Sequence, residues 1–270
     1  MITAETILTR KSVRSFDGRP VEPQIQEKVK AFSKGMQDPF GIPVGFVFLD
    51  AKEKGLTSPV LTGEPLYVAG KVAKVPYGEV AFGFAMEQLL LYAWSLGLGS
   101  VWIGGTMKRE QFETAAGLKS GERMPCVSPL GYPAGKRSLR ETIMRKGVGA
   151  DSRLNGEKLF FNGDFETSLS GKALEPWGDV LELVRWAPSA VNKQPWRVVA
   201  KDGRFHFYLK HDKGYISDAV GDMQKIDVGI AICHFVLGVQ EKGLVPKVEV
   251  RDPGIPAPAG VEYIASVMVE

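Results

Sequence analysis

Two segments of the chain, about 150 residues apart, repeat one pattern and constrain the fold more than any other feature. Residues 81–98 and 227–244 align without gaps and share the pairs Gly83/Gly229, Ala85/Ala231, Leu91/Leu237, Gly97/Gly243 and Leu98/Leu244. Apolar residues surround most of each segment, which is typical of a helix buried on all sides. A glycine just past the last apolar turn readily takes the left-handed conformation that ends many helices. The pattern therefore predicts two buried helices, each ended by a glycine.

A second repetition lies upstream of each of these helices. Val21-Glu22-Pro23 opens a helical run to about Ser33, and Leu174-Glu175-Pro176 opens another to Trp186, because proline fits the first helical turn. Strand-like stretches follow at residues 44–49 in one case and at 196–200 and 205–209 in the other. The order helix, strand, long helix therefore occurs twice. It predicts an α+β chain of two homologous halves that pack like a fused dimer, residues 1–150 and 151–270, with chance similarity of apolar helices as the alternative.

Composition and cysteine usage exclude several classes of protein. The 270 residues are 44% hydrophobic and 24% charged, which is typical of a globular chain. No apolar run approaches the roughly 20 residues of a membrane span, and no signal-peptide pattern opens the chain, so we expect a cytoplasmic protein without a membrane partner. Cys126 and Cys233 form no CxxC pair, and the three histidines lack metal-binding spacing and serve surface and packing roles, so we expect no disulfide framework and no metal. A net charge of +3 is too small to predict a nucleic-acid partner.

A basic segment near the start could bind a phosphate. Arg10, Lys11, Ser12 and Arg14 follow a short helical run. Guanidinium groups match phosphate oxygens with paired hydrogen bonds, and the serine hydroxyl adds a neutral donor. A solvated basic surface is the alternative interpretation.

A second candidate site lies between a predicted helix and a predicted strand. Residues 187–196 read APSAVNKQPW, in which two prolines bracket a loop that holds Ser189, Asn192 and Gln194. Hydroxyl and amide groups supply the donors and acceptors that recognise the edge of a planar heterocycle. The alternative is an ordinary turn with local side-chain hydrogen bonds.

Two glycine-containing segments complete the candidate residues. Gly104 and Gly105 follow a short apolar stretch after the first long helix, and paired glycines allow a flat ligand to lie against the backbone. Residues 130–135 read LGYPAG and lead to Lys136 and Arg137, which could add cations to the basic segment or begin an exposed connector. Neither segment is the GxGxxG or GxxxxGK[ST] of a nucleotide-binding loop.

Together these four segments resemble the flavin-dependent nitroreductase family, and in particular its single-chain, fused pseudo-dimer (TM nitroreductase-like) subgroup. The resemblance implies a nitroreductase-like three-layer α/β/α fold with two homologous halves packed as a pseudo-dimer, and FMN as the cofactor. It assigns the FMN phosphate to Arg10, Lys11, Ser12, Arg14, Lys136 and Arg137. It assigns the flavin ring to Pro188, Ser189, Ala190, Asn192 and Gln194, and flavin N5 to the backbone near Gly104 and Gly105.

The order of the motifs departs from that of an ordinary family member. Such a member carries the ring loop soon after the phosphate segment and completes its site between two subunits, whereas here the loop lies in the other half of the chain. The first half has lost the loop residues near Phe32–Phe40, and the second half lacks a phosphate segment before Glu175. These complementary losses predict one FMN per chain, a site built from both halves, and a monomer in preference to a homodimer.

The resemblance implies an NAD(P)H-dependent flavin oxidoreductase that works in ping-pong fashion. Hydride passes from NAD(P)H to FMN and on to a nitroaromatic or quinone-like acceptor, and no catalytic side chain is required. A sensor or carrier that binds FMN without turnover and a phosphate- or nucleic-acid-binding module remain as alternatives. The sequence does not identify the physiological acceptor, the preferred nicotinamide, or which of Lys136, Arg137 and Arg140 reaches the phosphate.

Overall fold

The computed structural model describes residues 2–135 and 152–270. The N-terminal part, residues 2–135, contains α1 (Ala4–Thr9), α2 (Pro23–Gly35), β1 (Val44–Asp50), β2 (Leu66–Ala73), α3 (Gly78–Ser95), α4 (Arg109–Ala115), β3 (Glu122–Arg123) and β4 (Val127–Leu130). The C-terminal part, residues 152–270, contains β5 (Phe160–Asn162), α5 (Gly178–Arg185), β6 (Trp196–Lys201), β7 (Arg204–Lys210), β8 (Ile216–Ser217), β9 (Gly221–Asp222), α6 (Met223–Glu241), β10 (Pro246–Glu249) and β11 (Val261–Val269). Short 3₁₀ turns lie at Gly156–Lys158, Gly171–Ala173 and Ala190–Asn192.

Each part builds its own sheet. In the N-terminal part, β2 pairs antiparallel with β1 on one side and with β3 and β4 on the other. In the C-terminal part the strand order is β10-β11-β7-β6-β5, antiparallel except for the β5–β6 pair. The predicted strands at 44–49, 196–200 and 205–209 are confirmed as β1, β6 and β7.

The two predicted long helices form the contact between the two parts. α3 and α6 pack along each other more extensively than any other pair of described elements, and each also packs on the sheet of its own part. Thirteen of the 18 residues of α3 and 15 of the 19 residues of α6 are buried, as the apolar pattern predicts. Gly97 and Gly243 follow the helices with φ of 83° and 77°, so the predicted helix ends are confirmed.

Two glycines of the repeated pattern allow α3 and α6 to approach closely. A Cβ atom built on Gly83 would lie 2.1 Å from the carbonyl oxygen of Ile226, and one on Gly229 would lie 2.1 Å from the carbonyl oxygen of Val80. Any larger residue at either position would therefore meet the backbone of the opposite helix. The glycines that match in the sequence are the ones that meet in the structure.

One predicted helix boundary is wrong. α5 begins at Gly178, with Trp177 as its N-cap, and not near Pro176. The residues before it form two successive turns, in which Leu174 N–H donates to Gly171 O and Trp177 N–H donates to Leu174 O. These turns use the backbone groups that a longer helix would need. None of the described helices is both long and apolar enough to cross a membrane.

Candidate functional site

A cavity of about 310 Å³ lies between the two parts of the chain. This volume is at the lower end of the range of small-molecule sites. The N-terminal part contributes the end of α1, the basic segment after it and residues near Gly104, and the C-terminal part contributes the loop after α5 and the first turns of α6. Nine of the residues singled out from the sequence line it together: Arg10, Lys11, Ser12, Arg14, Gly104, Pro188, Ser189, Ala190 and Asn192.

The basic segment is held in place by its backbone. Arg10 caps α1, and its N–H donates to Thr6 O. Val13 N–H then donates to Ser100 O at 2.9 Å, and Thr62 N–H donates to Arg14 O at 3.0 Å. These backbone hydrogen bonds fix the segment, and Arg10, Lys11, Ser12 and Arg14 line the cavity.

The guanidinium group of Arg10 has unused hydrogen-bond donors. Its Nε and Nη2 atoms are buried and have no hydrogen-bond partner among the described residues. A buried charged donor without a partner is costly, and native proteins rarely leave one. Arg10 also lines the cavity, where a bound anion would compensate its charge.

The loop after α5 has an unusual backbone. Val191, Asn192 and Gln194 adopt φ of 49°, 57° and 51°. Asparagine tolerates this region, but a β-branched residue such as Val191 rarely does, and strain of this kind costs on the order of 1–3 kcal/mol and clusters at functional sites. The hydroxyl of Ser189 helps to hold the loop by accepting a hydrogen bond from Gln194 N–H at 2.9 Å.

Gln194 supports the loop from behind and does not line the cavity. It is 3% exposed, and its side-chain oxygen accepts a hydrogen bond from Leu154 N–H at 2.9 Å. Its side-chain nitrogen donates to Asn192 O at 3.2 Å. In this structure its contacts stabilise the loop.

Of the two glycines, only Gly104 is among the residues that line the cavity. Its carbonyl oxygen accepts a hydrogen bond from the Arg109 guanidinium at 2.7 Å, which fixes the orientation of this peptide. Lys136, Arg137 and Arg140 lie outside the described residues.

Arg153 adds a cation that the motifs did not single out. Its guanidinium lies 4.7 Å from the ring centroid of Trp186 and donates to Trp186 O at 3.2 Å. Both residues line the cavity. None of the motifs in the sequence covers this position, so the sequence did not indicate that Arg153 would reach the cavity.

A buried ion pair joins α3 to α6 beside the cavity. Nε2 of His234 lies 3.1 Å from Oε1 of Glu87, and Nδ1 lies 2.9 Å from Leu183 O. Leu183 O can only accept, so Nδ1 of His234 donates to it and Nε2 faces the Glu87 carboxyl group. Burial raises the pKa of Glu87, but the charge of Arg10 and hydrogen bonds from His234 and Trp102 outweigh it and hold this pKa below its usual value. These two contacts hold the His234 ring in place at the cavity wall, which His234 lines.

Asp227 is a further residue that the motifs did not identify. It lines the cavity from the start of α6, is 3% exposed, and accepts a hydrogen bond from Ala190 N–H. In the repeated pattern it stands opposite Ala81, just as His234 stands opposite Gln88. The sequence did offer one signal for Asp227 and His234: each is a polar residue in a buried helix, at a position where the matching helix of the other half has a different residue.

A family model described as "Putative TM nitroreductase" matches residues 3–239. A search of the curated proteins finds no match.

Among the solved structures, a putative nitroreductase from Thermotoga maritima is 20% identical, with a TM-score of 0.65, and the match covers 99% of this chain and 94% of that one. An FMN-dependent nitroreductase from Clostridium difficile is 20% identical, with a TM-score of 0.43 over 51% of this chain and 90% of that one. A putative NADH dehydrogenase/NAD(P)H nitroreductase from Parabacteroides distasonis is 26% identical, with a TM-score of 0.42 over 50% and 88%. The full-length match confirms the predicted fold class, a nitroreductase-like α+β fold of two halves packed as a pseudo-dimer.

Proposed function

The chain belongs to the putative TM nitroreductase family, whose members are in general flavin-dependent oxidoreductases, and on this premise we propose that it binds FMN and is reduced by NAD(P)H. The electrons then pass to a nitroaromatic or quinone-like acceptor in a ping-pong reaction. We further propose that one chain, with halves at 1–150 and 151–270, forms one site as a monomer.

The observation that carries this proposal is the buried guanidinium of Arg10. Two of its nitrogens lack a partner among the described residues, and Arg10 lines a cavity whose wall also holds Lys11, Ser12 and Arg14. A terminal phosphomonoester fits this set, because guanidinium and ammonium groups neutralise its charge and the hydroxyl adds a donor. These residues would hold the phosphate of FMN, and Arg153 adds charge at the same cavity.

The remaining walls suit a flat heterocycle. The strained loop lines the cavity with Pro188, Ser189, Ala190 and Asn192, and Gly104 lines it from the N-terminal part. Without a Cβ atom at Gly104, a ring can approach the peptide closely. When bound, FMN supplies the hydride chemistry, and the chain binds it, orients it and excludes water from one face.

The first experiment tests the cofactor and the reaction together. We expect the purified protein to be yellow and to release FMN, and not FAD, on denaturation. NADH or NADPH should bleach the bound flavin in the absence of oxygen, and a quinone or nitroaromatic should restore the colour. Colourless protein that takes up no added FMN would refute the proposal, and FMN that neither nicotinamide reduces would favour a sensor or carrier.

A second experiment tests whether one chain forms the whole site. Arg10→Ala and Asn192→Ala each remove one wall, from different parts of the chain. Each variant alone should bind FMN weakly, and an equal mixture of the two should bind no better, because no chain in the mixture has both walls. Recovery of tight binding in the mixture, or two FMN per wild-type chain, would show that the site forms between chains.

A further inference from the structure

The cavity contains a carboxyl group whose surroundings differ from those of its other charged residues. Of the described residues that line the cavity, Asp227 is the only acidic one. Its side chain is almost fully buried, and its neighbours on α6 are apolar except for the buried Gln224 one turn before it. Ile226 and Ile230 flank it on the same helix and line the same wall. Burial of this kind disfavours a carboxylate.

The polar contacts of Asp227 do not include a cation. Its two carboxyl oxygens lie 3.1 and 3.2 Å from the backbone nitrogen of Ala190, and no ion pair joins it to another described residue. One neutral N–H cannot replace the hydration of a carboxylate. The acid form needs less compensation, and it keeps an O–H that can donate to a molecule in the cavity.

The charges around Asp227 act in opposite directions. Asp222 lies just before α6, and its negative charge disfavours a second carboxylate. Four cationic residues line the cavity from other elements, namely Arg10, Lys11, Arg14 and Arg153, and His234 lines it from α6 itself. Burial is the largest influence and raises the pKa of Asp227 well above its usual value, the Ala190 N–H lowers it, and Asp222 raises it further.

We propose that Asp227 is the proton donor of this site, a buried carboxylic acid that protonates an oxygen of the quinone or nitroaromatic acceptor. This inference rests on the proposed function and adds a catalytic side chain to it. Reduction of a quinone to a hydroquinone takes up one hydride and one proton. NAD(P)H supplies the hydride through the cofactor and leaves as NAD(P)⁺. The O–H bond of Asp227 breaks as an O–H bond forms on the acceptor, and the carboxylate left behind takes a proton from water.

A purely structural role would be to anchor the loop through Ala190, and two substitutions separate the roles. In Asp227→Asn the amide oxygen can still accept the Ala190 N–H, and the side chain stays neutral, but it has no acidic proton. Asp227→Ala has neither an oxygen that can accept the Ala190 N–H nor an acidic proton. As a matched control, Asp218→Asn removes an exposed carboxylate that does not line the cavity.

The kinetic test measures the two half-reactions separately. We expect Asp227→Asn to keep wild-type FMN affinity and wild-type bleaching by NAD(P)H. Its reoxidation by quinone should slow by about 10²–10⁴-fold, the usual contribution of a positioned acid, and the wild-type dependence of that step on pH should disappear. Asp218→Asn should match the wild type in every step. Reoxidation of Asp227→Asn at the wild-type rate, with FMN affinity lost only in Asp227→Ala, would show that Asp227 merely anchors the loop.

A measurement without turnover tests the protonation state directly. In protein labelled with ¹³C at the aspartate carboxyl carbon, an infrared C=O band of a protonated acid should be present at neutral pH. The band should be absent from Asp227→Asn and present in Asp218→Asn. If the wild type lacks it, Asp227 is not an acid at neutral pH and the inference is wrong. Protein that binds no FMN would overturn the proposed function whatever the band shows.

Discussion

Replacing Gly83 by alanine would place a methyl group of α3 against the backbone of α6. The added carbon would lie 2.1 Å from the carbonyl oxygen of Ile226, whereas carbon and carbonyl oxygen atoms normally stay about 3.3 Å or more apart. The two helices would have to separate by roughly 1 Å, because a backbone carbonyl in a helix cannot turn aside as a side chain can. Gly229→Ala should act in the same way, since its added carbon would lie 2.1 Å from Val80 O.

The expected cost combines two opposing effects. Overpacking a core costs about 1–3 kcal/mol, and a contact with backbone belongs at the upper end. Alanine offsets up to about 1 kcal/mol of this loss of stability, because it favours a helix more than glycine does. We therefore expect a net loss of about 2 kcal/mol in the free energy of unfolding for either substitution.

Urea unfolding of the cofactor-free protein, followed by circular dichroism, measures this loss. If the free energy of unfolding falls by about 3 kcal/mol per molar urea, the midpoint should fall by about 0.7 M. Gly35→Ala is the matched control, since it lies in α2 and no heavy atom lies within 4 Å of the added carbon. It should leave the midpoint unchanged or raise it slightly.

The double variant Gly83→Ala/Gly229→Ala tests whether the two positions share one contact. Once the first methyl group has separated the helices, the second should cost less. The combined loss should therefore fall short of the sum of the single losses by about 0.5 kcal/mol or more. Single variants as stable as Gly35→Ala, or losses that add fully, would refute the close contact of α3 and α6 at these glycines.

Three further predictions concern charged residues of the cavity. Arg10→Ala should weaken FMN binding roughly tenfold to a hundredfold in a fluorescence titration, since it removes a charged hydrogen bond, while Arg204→Ala, which does not line the cavity, should bind normally. Glu87→Gln should lower the free energy of unfolding by about 3 kcal/mol at neutral pH, because it disrupts the buried pair with His234. This loss should shrink as the pH falls below about 4.5, because a carboxyl with a lowered pKa stabilises the fold only while it is ionised. Asp227→Asn should instead stabilise the cofactor-free protein, because a carboxyl with a raised pKa destabilises the fold as the pH rises. The gain should grow by about 1.4 kcal/mol per pH unit above about pH 4, until the carboxyl of the folded wild type ionises. Urea midpoints measured across this pH range check the predictions for both Glu87 and Asp227.

Local patterns determined the elements of the fold. An apolar pattern without a polar face indicates a buried helix wherever it occurs, and glycine in a left-handed conformation ends one, so α3 and α6 could be predicted from their own residues. Because the pattern occurs twice, the packing of two similar halves also followed from the sequence. The boundary at Pro176 was wrong because turns at residues 171–177 use the same backbone groups, and a proline reports only on its own backbone.

For the candidate site too, local sequence patterns indicated some features and the tertiary structure showed others. Residue types that bind phosphate or recognise a heterocycle indicated Arg10 and Asn192 while leaving the simpler interpretations open. The complementary losses of motifs predicted that these distant segments meet, and the tertiary structure shows that they line one cavity. It also decided that Gln194 lies behind its loop and that Arg153 faces the cavity.

Sequence patterns could not identify the residues whose roles depend on being buried. Glu87 and His234 are 147 residues apart, and either one alone looks like an ordinary polar residue in a helix. Asp227 differs from the exposed aspartates of this chain because of what surrounds it. The protonation state of an acid depends on the water and charges within a few ångströms, and that neighbourhood exists only after distant parts of the chain have packed together.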